Sequence, residues 1–131
     1  MNMPLKRTGM IIVLILCLSI FSTSLAATMA DSVFDSATTN LLSTKKASFS
    51  AMTNTEQQCI KVTSCKLYKK NGSKWNFVCS LPVPDTEAED TILYDASADY
   101  SSYIGSGTYR IYTTFNADGH SISRYSNTRT F

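Results

Sequence analysis

A strict alternation of residue types near the C-terminus constrains the fold of this chain more than any other feature. Between Gly107 and the turn at residues 116–119, one set of alternate residues is apolar or threonine and the other is mostly polar. The side chains of a β-strand point alternately to its two faces, so a period of two predicts a half-buried strand. We predict that its core face carries four side chains: Tyr109, Ile111, Thr113 and Phe115.

The same period recurs upstream. Residues 47–51 alternate between apolar residues and serine, which predicts another half-buried strand. Residues 59–69 predict a longer one, but Ile60 and Val62 differ in parity from Cys65 and Leu67. One straight strand cannot bury both pairs, so we predict a β-bulge near residues 63–64.

Turn signals separate the remaining strands. Asn71-Gly72-Ser73 predicts a hairpin. In the strand that follows, every second residue is apolar, which predicts a core face made of Trp75, Phe77, Cys79 and Leu81. Residues 85–103 predict a polar loop that contains a short strand at 91–94, and residues 120–131 predict a last strand broken near 126–127. Roughly six or seven short strands favour an all-β fold, a small antiparallel β-sandwich.

The N-terminus has the three-part pattern of a secretory signal peptide. Lys6 and Arg7 precede an apolar run at residues 10–21, and Ser24 and Ala26 are the small residues before a cleavage site. The run is shorter than the roughly 20 residues that span a bilayer, although an uncleaved anchor is the alternative. We therefore expect a secreted protein, extracellular or associated with the cell surface, that meets the membrane only through its signal before cleavage.

Composition and charge support this organisation. Residues 1–26 are assigned to the signal, residues 27–46 to a flexible leader rich in Ala, Ser and Thr, and residues 47–131 to the β-sandwich domain. Cleavage removes two of the twelve basic residues and leaves ten against ten acidic ones. A neutral mature chain argues against nucleic acid as a partner.

Two segments resemble known families. The strand at residues 107–115 and the following Arg124-Tyr125-Ser126-Asn127 resemble the last two strands of fibronectin type III and immunoglobulin-like sandwiches. The hairpin at residues 67–75 is similar to one in small secreted, uncharacterised proteins of Gram-positive bacteria. The resemblance covers residues 47–131 and implies an immunoglobulin-like fold and secretion. It assigns no catalytic or binding residues to this chain.

Three cysteines remain after cleavage removes Cys17, and an odd number is unusual for an exported protein. With a three-residue hairpin loop at residues 71–73, Lys70 faces Lys74, Leu67 faces Phe77 and Cys65 faces Cys79. This register makes Cys65–Cys79 the disulfide candidate and leaves Cys59 as a free thiol or the link of a covalent homodimer. A bridge from Cys59 to either partner, or three buried free thiols, are the alternatives.

Charged and tyrosine side chains mark a possible binding surface. Basic residues are concentrated between residues 61 and 74, and acidic residues between 85 and 99. The lysines either contact an anionic partner or protect exposed strand edges. The tyrosines are contact residues or ordinary strand residues. The predicted surface consists of Lys66, Lys69, Lys70, Lys74, Tyr100, Tyr103, Tyr112 and Tyr125.

No arrangement of residues indicates catalysis. His120 follows the Asp118-Gly119 turn and has no distant partner that the sequence identifies, and the serines lack a nucleophile-elbow motif. The cysteine spacing does not fit a metal site, and residues 85–90 lack the glycine and spacing of a calcium loop. We therefore expect no cofactor and no metal.

These observations predict an exported, non-enzymatic binding or interaction module. Its partner would be another protein, a second copy of the chain or a cell-envelope polymer. The alternative is a small secreted effector, such as a toxin, inhibitor or signal, that acts on other cells.

Overall fold

The alternating segments form strands over almost the whole of residues 33–131, the part of the chain that the computed structural model describes. No α-helix lies in this part, so the predicted all-β class is confirmed. The seven strands are β1 (Phe34–Leu41), β2 (Lys46–Asn71), β3 (Lys74–Leu81), β4 (Glu87–Asp99), β5 (Thr108–Ala117), β6 (His120–Tyr125) and β7 (Arg129–Thr130).

Strand β2 organises the sheet, because its 26 residues pair antiparallel with four other strands. Its first part, residues 46–52, lies between β1 and β4, and its second part lies between β5 on one side and β4 and then β3 on the other. Strands β6 and β7 pair with β5. All seven strands therefore belong to one curled sheet, and the two separate sheets of a sandwich are not confirmed.

The curl places the inner face of every strand around one core. The buried parity of β2 changes twice, once between Gln57 and Ile60 and again between Val62 and Cys65. The second change coincides with a register shift between Val62 and Ser64, so the predicted bulge is confirmed. The largest fully buried apolar side chains are Leu41, Phe49, Ile60, Leu67, Tyr94, Tyr100, Ile111 and Phe115.

The sheet begins inside the segment that we predicted as a flexible leader. Strand β1 pairs with residues 47–53 of β2, and Phe34 and Leu41 are buried in the core. The threonines that suggested a linker are good strand residues, and Thr39 donates a buried hydrogen bond to Thr113 at 2.9 Å. The predicted signal peptide and Cys17 lie outside the described residues.

Residues 85–103 form much more than the predicted loop. Strand β4 has 13 residues, because β2 offers it pairing partners from Lys46 to Lys61. Two buried tyrosines hold the connection before β4: the hydroxyl of Tyr94 donates to the Thr86 carbonyl at 3.0 Å, and that of Tyr100 to the Pro82 carbonyl at 2.7 Å.

The β2–β3 hairpin has a different register from the one that we predicted. Asn71 pairs with Lys74, so the loop has two residues and begins with Gly72 at a φ of 65°. Glycine with a positive φ at this position is typical of a type II′ turn. The pairs that follow are Lys70 with Trp75 and Tyr68 with Phe77. A one-residue change in register moves side chains to the other face, so Trp75 and Phe77 lie outside the core.

Candidate functional site

The predicted lysine surface is divided between the two sides of β2. Lys66 and Lys70 share the outer face with Tyr68, since each lies two positions from Tyr68 and alternate side chains of a strand point to the same side. Lys69 points the other way, with its Nζ 5.7 Å from the centre of the Tyr109 ring and its Cε close to Gly107. Lys74 lies at the hairpin loop and is exposed. Only two of the four lysines therefore belong to one surface.

The four predicted tyrosines also separate. Tyr112 and Tyr125 are cross-strand partners on the outer face, with ring centroids 4.6 Å apart. Tyr100 is fully buried, so its assignment to a contact surface is wrong. Its hydroxyl finds an acceptor inside the protein, which makes the burial of a phenol possible. Tyr103 is exposed but packs edge-on against Tyr100, in the connection that follows β4.

The structure adds four residues to the outer face that the sequence analysis did not assign to it. Phe77, Tyr68 and Arg110 form one row across β3, β2 and β5, and Trp75 lies opposite Lys70 beside that row. The rings of Tyr68 and Phe77 meet edge-on at 5.8 Å, and those of Tyr68 and Tyr125 at 6.2 Å. We call this surface the arginine–aromatic face; its residues are Tyr68, Trp75, Phe77, Arg110, Tyr112 and Tyr125.

Arg110 is the centre of this face. Its guanidinium carbon lies 3.9 Å from the centre of the Tyr125 ring and 4.3 Å from that of Trp75. Contacts of this kind are attractive because the electron-rich ring face stabilises a cation. Within residues 33–131 the Arg110 side chain has no carboxylate partner, and its buried Nε has no hydrogen-bond partner. The site therefore holds the arginine against two aromatic rings and leaves its hydrogen-bond donors unused.

The charge of the surrounding sheet has one sign. Strands β3, β5 and β6, and β2 from Ile60 onward, contain no aspartate or glutamate. The arginine–aromatic face is therefore cationic, with Lys66 and Lys70 on the same side of the sheet as Arg110. Two of its rings are well exposed: Phe77 at 56% and Tyr125 at 49%. Exposed aromatic rings next to unneutralised cations are features of contact surfaces.

The predicted Cys65–Cys79 bridge is not present. Cys65 pairs with Leu81 and Cys79 with Leu67, because of the two-residue loop and a bulge after Phe77. Diagonal neighbours of this kind are roughly 7–8 Å apart, too far for a disulfide. Cys59, Cys65 and Cys79 are all free thiols. Burial raises the pKa of the Cys65 thiol, which favours its neutral form.

The acidic segment and the lone histidine form no metal-binding group in the described chain. Residues 33–131 contain no group of three or more His, Cys, Asp or Glu that would hold a metal ion. The Asp118 carboxylate accepts hydrogen bonds from the backbone N–H of Gln58 at 2.8 Å and of Cys59 at 3.0 Å. This bond pair fixes the β5–β6 turn to β2 while His120 stays exposed.

Comparisons with protein-family models, curated proteins and solved structures give no match for this chain. In the described part, no helix is long and apolar enough to cross a bilayer. The arginine–aromatic face is thus the feature from which a function can be argued.

Proposed function

We propose that this protein is an exported, non-enzymatic binding module that binds an anionic partner on its arginine–aromatic face. The observation that carries the proposal is Arg110, a cation in contact with two aromatic rings and without an acceptor. A guanidinium has five N–H donors in a rigid plane and no acceptor, so a carboxylate or phosphate is its best partner.

The rings prepare this arginine for binding. A free arginine loses considerable rotamer entropy when a ligand fixes it, and that loss weakens binding. Here Trp75 and Tyr125 already restrict the guanidinium before a ligand arrives. Lys66 and Lys70 extend the positive charge along β2 on the same side of the sheet, and the exposed rings add apolar contact area.

Export is the second part of the proposal, and its support is the signal pattern at residues 1–26 together with the resemblance to secreted, immunoglobulin-like proteins of Gram-positive bacteria. The processed protein begins at Ala27 in this proposal. Intact mass of protein recovered from the medium of a secreting host tests it, and recovery of the full-length chain from the membrane fraction would contradict it.

The binding experiment uses two immobilised acidic polymers, polyglutamate and polygalacturonate, at low ionic strength, with neutral dextran as the reference. We expect retention of the wild type on both acidic polymers and at least tenfold weaker binding for Arg110→Gln. A tenfold loss corresponds to about 1.4 kcal/mol, at the low end for a hydrogen bond to a charged group.

Arg124→Gln is the matched control. It removes the same charge from the neighbouring strand β6, where Arg124 is exposed and donates only to the Ser123 carbonyl. Equal losses for the two variants would mean that binding follows net charge alone. That result, or no retention of the wild type, contradicts the proposed function.

A further inference from the structure

We propose that the partner of the arginine–aromatic face is a second copy of this chain, which docks through the outer face of β4. This inference rests on the proposed function, because it takes the arginine–aromatic face as the binding surface and names its occupant. The molecule carries a second exposed surface whose chemistry complements that of the arginine–aromatic face.

The second surface lies where β4 pairs with β2. Met52 and Leu93 are cross-strand partners, and both are exposed, at 39% and 53%. On one side of this apolar pair lies Asp95, which pairs with Ser50; on the other side lies Glu89, which pairs with Cys59. We call this surface the acidic face; its residues are Met52, Glu87, Glu89, Leu93 and Asp95.

The two faces carry opposite charge. Between Glu87 and Asp99, β4 contains three aspartates, two glutamates and no basic residue. Two of these acids lie opposite a lysine of β2: an oxygen of Glu87 is 3.8 Å from the Nζ of Lys61, and Asp99 is the cross-strand partner of Lys46. Glu89, Asp90 and Asp95 have no such partner in the described chain. The arginine–aromatic face contains the cation Arg110, and Lys66 and Lys70 lie beside it on the same side of the sheet. The strand segments that carry it, β3, β5, β6 and β2 from Ile60 onward, contain no acid. Opposite potentials favour docking of these two faces and disfavour contact between two copies of the same face.

The apolar parts of the two faces also match. Each face has exposed apolar side chains beside charged ones, the arrangement that protein interfaces show at their core and rim. An acidic polysaccharide would satisfy Arg110 but would leave Met52 and Leu93 exposed to water. A second copy covers both surfaces at once, since the aromatic rings of one molecule meet the aliphatic pair of the next.

The geometry determines the kind of assembly. The two faces consist of different residues on different strand segments, and both lie on the side of the sheet away from the core. Docking of one face on the other is therefore head-to-tail. Such a heterologous contact produces closed rings, or open filaments that keep one free face of each kind at their ends.

The test measures the size of the processed protein by sedimentation velocity over a range of concentrations. We expect dimers and larger species at low ionic strength, and dissociation in 0.5 M salt, where the Debye length is only about 4–5 Å. Leu93→Gln keeps the charge and is expected to raise the dissociation constant at least tenfold. Far-ultraviolet circular dichroism verifies that each variant is folded.

Charge reversal on each face provides the decisive experiment. One double variant, Lys66→Glu with Lys70→Glu, reverses the charge beside the arginine–aromatic face, so both faces of that molecule are acidic. The other, Glu89→Lys with Asp95→Lys, reverses the charge of the acidic face, so both faces of that molecule are basic. Each double variant alone is expected to be monomeric, whereas an equimolar mixture assembles again, because every contact then joins an acidic to a basic face. Arg124→Glu, outside both faces, is the control and should assemble like the wild type.

The outcomes separate the two proposals. A wild type that stays monomeric but binds polyglutamate through Arg110 overturns the second-copy inference and leaves the proposed function intact. A wild type that neither assembles nor binds polyglutamate overturns both. Assembly that the charge reversals do not abolish, or that mixing does not restore, shows a different interface and overturns the inference.

Discussion

The side chain of Asn127 takes the place of a neighbouring strand at the end of β1. The backbone N–H of Leu41 donates to its Oδ1 at 2.7 Å, and its Nδ2 donates to the Leu41 carbonyl at 3.0 Å. The same carbonyl also accepts from Nε of Arg129 at 2.9 Å. The two backbone groups of Leu41 therefore depend on Asn127 to different degrees.

This asymmetry sets the expected magnitudes. Asn127→Ala leaves the N–H of a fully buried residue without an acceptor, which costs about 1–3 kcal/mol, and removes one further bond worth about 1 kcal/mol. A total of about 3 kcal/mol lowers Tm by about 12–24 °C in a domain of this size. Asn127→Asp keeps the acceptor for the Leu41 N–H and loses only the Nδ2 donor. The Leu41 carbonyl still accepts the hydrogen bond from Nε of Arg129. We expect that variant to lose about 1 kcal/mol.

Urea unfolding of the processed protein measures these differences, with Thr128→Ala as the exposed neighbour that should stay within about 0.5 kcal/mol of the wild type. The expected order of stability is wild type, Asn127→Asp and then Asn127→Ala. Equal destabilisation by aspartate and alanine would refute the role of Oδ1 as the acceptor for Leu41. A loss below 1 kcal/mol for alanine would refute the whole account.

Three further predictions concern protons, glycines and thiols. Burial raises the pKa of Tyr100 and Tyr94, so unfolding releases protons at high pH. Stability is complete below about pH 10 and falls above it by up to about 1.4 kcal/mol per pH unit for each tyrosine. Urea unfolding between pH 9 and 11.5 should show a shallower fall for Tyr100→Phe than for the wild type. Gly107→Ala should lower stability by about 1–3 kcal/mol in the same assay, because Gly107 has a φ of 131° and a Cβ there would lie 2.7 Å from Cε of Lys69. Gly105→Ala should be nearly neutral, because its Cβ would make only an ordinary contact, 3.8 Å from the Tyr109 hydroxyl. Equal effects of the two variants would exclude backbone strain as the cause. Alkylation followed by intact mass should find three thiols in the unfolded processed protein without prior reduction, and slower modification of Cys65 than of Cys59 in the native state. A reducible bridge between Cys65 and Cys79 would contradict the register of the β2–β3 hairpin.

Local sequence patterns were sufficient to predict much of the sheet. The alternation in β5 is confirmed, since Tyr109, Ile111, Thr113 and Phe115 are all buried. The bulge near Thr63 and the break between β6 and β7 are confirmed as well. Each of these features depends on side-chain parity or on a backbone preference, which neighbouring residues determine.

Register and partner choice required the folded chain. The sequence Asn71-Gly72-Ser73 identifies a turn but does not decide between a loop of two residues and one of three. That single residue decides whether Trp75 and Phe77 enter the core or contribute to the arginine–aromatic face. The polar segment that became β4 is another case, because a strand of mixed polarity forms only where a neighbour supplies its hydrogen bonds.

The amino-acid sequence by itself therefore determined the strictly alternating strands and the turns between them, since alternation and turn residues act over a few positions. It did not identify β1 or most of β4, which become strands because β2 supplies their hydrogen bonds. Only the tertiary structure decided which side chains meet. Arg110 reaches Trp75 and Tyr125 because β2 lies between β3 and β5, and because β6 returns beside β5. Contacts between residues so far apart in the chain depend on strand order and register, which no local pattern encodes.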